Sequence, residues 1–166
     1  MSEFSLKRIS PDGIPHALEK AEGYRLRNDP AQAESIYRDV LAVDADHQDA
    51  LRGLILALTD QFGSVEAAGA AREAQGHIAQ LAFEYERAYY TGIVYERRTR
   101  AYLNRKHVVR SAAYDGFRDA MTWYERAEAL RPPANVDAVL RWNSCVRAIE
   151  RERLEPATAG PELPLE

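Results

Sequence analysis
Apolar residues recur along this chain at spacings of three and four, and no segment alternates as a strand should. Between positions 30 and 43, Ala33, Ile36, Tyr37, Val40 and Leu41 share one helical face. The turn before them is Asn28-Asp29-Pro30; Asp29 suits an N-cap, and Pro30 suits a first helical position, where its missing N–H would be unpaired anyway. A preceding helix is expected over about 14–27, after the punctuation of Pro11, Gly13 and Pro15. A third is expected over about 48–62, after the polar turn Asp44-Ala45-Asp46-His47, with Ala50, Leu51, Leu54, Ile55 and Leu58 as its buried stripe. Gly63 reads as its stop, and Ser64 as the cap of a helix carrying Ala67, Ala68, Ala71 and Ala74. The period points to an all-α fold.

No proline occurs between Ser64 and Val109. Ala67, Ala71, Ala74, Ile78, Leu81, Tyr85, Ala88, Gly92, Tyr95, Thr99 and Tyr102 alternate at four and three. This fits one helix of about 40 residues with a coiled-coil-like seam, or two helices broken near Gly76. The break is preferred, because an uninterrupted helix could not fold back; the second piece then covers about 77–106. Asp115-Gly116 reads as the next turn. A helix over about 117–131 would carry Ala120, Trp123, Tyr124, Ala127 and Leu130 and stop at Pro132-Pro133. A last one over about 135–152 would carry Val136, Val139, Leu140, Trp142, Cys145, Val146 and Ile149. The expected organisation is a flexible lead-in over 1–12, one helical domain over 13–153, and a flexible Pro/Glu tail over 154–166.

The helices repeat. Ala33 and Ala67 lie 34 residues apart, and Ala120 heads a third copy displaced by 19 further residues. In that copy Ala120, Tyr124, Ala127 and Pro132 give a small residue, an aromatic four later, a small residue three later and a proline five later. This resembles the second half of a tetratricopeptide repeat. Ala21, Tyr24, Ala33 and Tyr37 fall at the corresponding places of a first copy, with Val40 and Ala45 replacing the last alanine and the proline. Leu51, Leu54, Leu58, Ala67, Ala71 and Ala74 fill a second, Ala71 standing where an aromatic is usual. The resemblance covers about 14–150 and implies an α-solenoid of antiparallel helix pairs, the last helix capping the stack. Cys145 is then a small core residue.

Charge adds a second asymmetry. Net charge is −4, yet residues 97–118 hold seven basic residues (Arg97, Arg98, Arg100, Arg105, Lys106, Arg110, Arg118) against Asp115, while the remainder nets −10. Seven of the nine tyrosines lie between Tyr85 and Tyr124. The enlarged third repeat is thus a candidate binding surface, since Tyr and Arg are favoured at interface hot spots; aromatic packing inside a long helix and charge outside it account for the same composition. The lone cysteine, the absence of an apolar leader and a longest charge-free apolar stretch of only Gly53 to Thr59 lead to the expectation of a cytoplasmic protein that does not enter a membrane.

Members of the resembled family bind peptides in a concave groove lined by the first helix of each repeat. That implies Glu22 and Arg25, then Arg52 and Leu56, then Tyr90 and Arg97, joined by Arg98 and Arg100 from the basic extension. The lysine/asparagine clamp some members use for a C-terminal carboxylate is missing, its places being held by Leu18, Glu22 and Gly53. A pI of about 5.6 disfavours nucleic acid, despite the Arg, Lys and Tyr between 95 and 110. His16, His47, His77 and His107 are scattered and form no ligand pair, and neither a phosphate loop nor a nucleophile elbow occurs. The expectation is a non-enzymatic adaptor that needs no cofactor or metal and takes a protein or peptide partner, an acidic one suiting the basic segment. A chaperone resembling the three-repeat secretion chaperones, and a module that self-assembles as a homo-oligomer by docking its basic segment on a neighbour's acidic face, are the alternatives.

Overall fold
The computed structural model describes residues 4–63 and 67–158. Among these are seven α-helices: α1 (Ile14–Leu26), α2 (Pro30–Val43), α3 (Gln48–Asp60), α4 (Ala67–Ile78), α5 (Glu84–Leu103), α6 (Arg110–Leu130) and α7 (Asp137–Glu152). A 3-10 turn over Pro11–Gly13 leads into α1, and no strand is present among the described residues. Each helix packs on the next in sequence, and α3 also touches both α1 and α5, a solenoid-like arrangement. The contacts fix the directions. Glu34 near the start of α2 accepts from Gln61 just past the end of α3, and Glu84 at the start of α5 meets Arg126 near the end of α6, so α2 with α3 and α5 with α6 run antiparallel. Arg52 reaches Glu86 while Asp60 reaches Arg97, so α3 and α5 run parallel.

Local chemistry explains the boundaries. Asp29 Oδ1 accepts from the Gln32 N–H at 3.3 Å, with Pro30 at the first helical position, as the sequence implied. His47 does more than sit in a turn: its Nδ1 accepts from the Ala50 N–H at 3.4 Å and caps α3. α7 ends with Arg153 in the left-handed region (φ 50°) and the Leu154 N–H on the Ile149 carbonyl at 2.9 Å. Leu154, only 5% exposed, packs into the core with residues of α6 and α7. Ser64, the expected cap of α4, lies outside the described residues.

Two expectations need correction. The chain does break into two helices between 67 and 103, but over 79–83 rather than at Gly76, which lies inside α4 with open space beside it. The break forms where its polar backbone finds partners. The Gln48 side chain accepts from the Ala82 N–H at 2.9 Å and donates to the Gln80 carbonyl at 3.4 Å, while Arg87 donates to the Leu81 carbonyl at 2.6 Å. Leu81 is meanwhile buried to 1% exposure. The second correction concerns Asp115-Gly116, which is helix interior: α6 begins at Arg110, not near 117. Gly116 marks a close helix crossing, since a Cβ there would lie 2.3 Å from Thr99 Oγ1. The reversal falls instead at 104–109, where the Val109 N–H donates to the Tyr102 hydroxyl at 2.7 Å. The surplus residues therefore lengthen a hairpin of 20-residue α5 and 21-residue α6, against 12 to 14 residues in each of α1 to α4.

The core has two parts. One gathers α1 to α4 with Val94 of α5; the other gathers Ala88 and Ile93 of α5 with α6 and α7. Two of the repeat aromatics meet glycines of neighbouring helices, Tyr37 on the helix that follows it and Tyr124 on the helix that precedes it. Tyr37 packs where a Cβ on Gly53 would be 2.2 Å from its ring, and Tyr124 where one on Gly92 would be 2.5 Å from its ring. Glycine is what lets each helix pair close over its aromatic.

Candidate functional site
The odd-numbered helices lie side by side, and side chains of opposite charge tie them together. Arg25 of α1 donates from Nε to Asp60 Oδ2 of α3 at 2.9 Å and from Nη1 to Glu22 at 3.4 Å. Asp60 also accepts from Arg97 of α5, whose Nη1 reaches Thr59 Oγ1 at 2.6 Å and the Leu56 carbonyl at 3.2 Å. Toward the other end of the same two helices, Arg52 donates to Glu86 Oε1 at 2.8 Å and pairs with Asp49. Glu22, Arg25, Arg52, Leu56, Tyr90 and Arg97 therefore do come from one row of helices. The three arginines are held in intramolecular pairs.

Burial shapes the electrostatics of this row. It pushes the Arg97 guanidinium below its ordinary value, with Asp60 working in the opposite direction. At Arg25 burial acts the same way, but the Asp60 hydrogen bond and charge outweigh it and the net shift is upward. Burial raises the Tyr90 hydroxyl to about 12 against the opposing charge of Arg52, so Tyr90 is a neutral phenol at any physiological pH.

Arg98 and Arg100 part company with Arg97. Arg100 turns inward: Nε donates to Glu96 Oε1 at 2.8 Å, Nη2 to Ser144 Oγ at 2.9 Å, and the guanidinium stands 5.5 Å from the Phe117 ring centroid. Arg98 is exposed and makes no ion pair among the described residues. The basic segment is thus not one surface. Arg97 and Arg100 belong to the interior seams, whereas Arg98, Arg105, Lys106, Arg110 and Arg118 face solvent along the outer half of the α5–α6 hairpin. The tyrosines are likewise structural. Tyr85, Tyr89, Tyr90, Tyr95, Tyr102, Tyr114 and Tyr124 all pack on the second core part, with Tyr89 edge-on to Tyr90 at 5.2 Å.

The hub of the second part escaped sequence reasoning. Glu96 has no exposed surface. Its Oε2 accepts from the Tyr124 hydroxyl at 2.6 Å, and its Oε1 accepts from Arg100 and, at 3.4 Å, from Arg141 of α7. Burial first, and the Glu96 charge second, drive the Tyr124 hydroxyl far upward and the Cys145 thiol up to about 12. A signal existed in the spacing: Glu96 stands four after Gly92 and three before Thr99, an acid within the apolar seam of α5.

At the other end of α5 a cleft of about 450 Å³ opens between the start of that helix and the α6–α7 turn, lined by Phe83, Tyr85, Glu86, Leu130, Pro132 and Asn135. Phe83 is 66% exposed at its rim. The Tyr85 hydroxyl donates to Asn135 Oδ1 at 3.0 Å. Glu86 Oε1 is taken by Arg52, but its Oε2 is buried and has no hydrogen-bond partner. No group of three or more His, Cys, Asp or Glu is placed to hold a metal ion among the described residues, and no described helix is long and apolar enough to cross a membrane. Comparison with family models, with curated proteins and with solved structures finds no match for this chain.

Proposed function
We propose that the protein is a helical interaction scaffold of the tetratricopeptide type, which holds a segment of a partner protein on the face formed by its odd-numbered helices. The observation that carries this reading is Glu86 Oε2. Buried carboxylate oxygens are almost always satisfied, and this one belongs to a residue that lines an open cleft with an exposed Phe83 beside it. A partner that inserts an apolar side chain against Phe83 and Leu130 and brings an N–H donor to Glu86 completes both. The ion pairs along α1, α3 and α5 support the same reading by fixing the surface in advance, which lowers the ordering cost of binding.

The test is affinity capture from cell lysate with the unaltered protein beside Phe83→Asp and Leu56→Arg/Tyr90→Ala, bound proteins being identified by mass spectrometry. A partner retained by the unaltered chain and lost from the variants, with helicity unchanged, supports the reading; equal recovery on all three rejects it. Charge reversal of Arg97, Arg98 and Arg100 together is not a clean substitute, because it would set new carboxylates against Asp60 and Glu96. A second reading, self-association, draws support from Val136 and Leu140, 48% and 58% exposed at the start of the last helix. Sedimentation mass rising with concentration would favour it.

A further inference from the structure
A different cleft, of about 430 Å³, lies between the outer halves of α5 and α6, with Phe62 also in its lining. Its two walls carry opposite charge: Arg98 and Arg105 on the α5 side, Asp115 and Asp119 on the α6 side. Arg38 on α2, by contrast, is held by two carboxylates, Glu34 and Glu73, each at 2.7 Å. Here none of the four side chains enters an ion pair among the described residues, and the two walls stay apart. The floor that separates them is rigid. Gly116 lies against Thr99 with no room for a Cβ, and Thr99 Oγ1 is tied to the Tyr95 carbonyl at 2.8 Å. Tyr102 is fixed by the Val109 N–H and by Arg105, whose guanidinium is 5.9 Å from its ring centroid.

The geometry points to a binding site for a small zwitterion of dipeptide to tripeptide size. Its carboxylate lies between Arg98 and Arg105, its ammonium between Asp115 and Asp119, and its apolar body against Phe62 and Tyr95. Arginine pairs suit a carboxylate because their planar forks donate two parallel hydrogen bonds. The volume falls in the range of about 300–1,000 Å³ typical of small-molecule pockets. A ligand carrying only one charge would leave the opposite wall facing a like or absent partner, so both charges are required. The site shares no residue with the partner face proposed above and stands or falls without it.

The test titrates the dipeptide L-leucyl-L-phenylalanine into isotope-labelled full-length protein and follows the backbone amides by NMR. Saturable shifts confined to 95–105, 112–119 and the neighbourhood of Phe62 are expected. N-acetylated and C-amidated forms of the same dipeptide should each bind at least about tenfold more weakly, a loss of about 1.4 kcal/mol. Arg98→Glu/Arg105→Glu should abolish binding of the dipeptide, and Asp115→Asn/Asp119→Asn should weaken it by a similar factor. These four positions are exposed, and the blocked dipeptides probe the unaltered protein, so the result does not depend on the variants folding. No saturable shift up to about 10 mM overturns the proposal, since that bounds binding weaker than about 3 kcal/mol. So do blocked dipeptides that bind as well as the free one, or shifts that map elsewhere.

Discussion
At the scale of single residues, glycines and one buried acid decide most. Gly53, Gly92 and Gly116 each stand where a methyl group would enter the space of a neighbouring side chain. Gly53→Ala is expected to cost about 1–3 kcal/mol through overpacking against the Tyr37 ring, read as a lowered midpoint in urea with unchanged slope. Gly116→Ala should cost a similar amount, and Thr99→Ala should recover part of it, because Thr99 Oγ1 is the atom in the way; additive losses in the double-mutant cycle would refute the close approach. Glu96→Ala leaves Arg100, Arg141 and the Tyr124 hydroxyl facing a buried void. The expected loss is about 3–5 kcal/mol, well above that of Arg98→Ala, whose side chain is exposed and makes no ion pair among the described residues. Cys145, with its thiol raised to about 12, is protonated throughout the range below that value. Alkylation at pH 8 should therefore proceed only through opening of the fold and slow as stability rises; rapid labelling of the native protein would contradict its placement.

At the scale of elements, the length of the α5–α6 hairpin and the contacts that join helix to helix matter more than any one propensity. Arg97 is the fastener between the two core parts, bonded to Leu56, Thr59 and Asp60 of α3. Arg97→Ala is expected to destabilise the protein by about 1–3 kcal/mol, because it removes the donor to the buried Thr59 hydroxyl and one of the two arginines that pair with Asp60. Hydrogen exchange should accelerate first along the facing turns of α3 and α5, and uniform acceleration over all helices would show that the seam is not where the weakness lies. The spacing of apolar residues made the existence of every helix legible. It misplaced the break and the reversal, because both are set by partners distant in sequence: Gln48 satisfies the backbone at 80–82, and Thr99 admits only glycine at 116.

At the scale of the whole molecule, the folded state holds several tyrosines protonated. Tyr37 and Tyr90 are raised from 10.0 to about 12 chiefly by burial, with the Glu22 charge adding to the first. Tyr85 is raised to about 12 for the same first reason, with the Asp137 charge adding to it. A group whose folded pKa lies above its unfolded one stabilises the fold fully below the unfolded value, and that stability is lost as pH rises through the folded value. The melting temperature should accordingly fall between about pH 10 and pH 12, with the native protein showing less phenolate absorption than the unfolded chain at the same pH. Coincident phenolate titrations of the native and unfolded chain would disprove it. The placement of charge follows the same logic of scale. The +6 of residues 97–118 is visible in the chain, but which of those cations are spent inside and which reach solvent depends on helix rotation and on what packs alongside.

The helical period, the repeat of small and aromatic positions and the caps at Asp29 and Pro30 are local properties, fixed by residues within a few turns of one another, and they were enough to specify an all-α stack of helix pairs. The assignment of roles to the candidate residues was not local. Arg25, Arg52 and Arg97 are paired across helices, Arg100 turns to a buried acid, and Arg98 alone of the proposed cations is left facing a cleft. Neighbours on the chain point about 100° apart around a helix, so three arginines within four positions meet three different environments. Only the packing of α3, α6 and α7 around α5 selects among them.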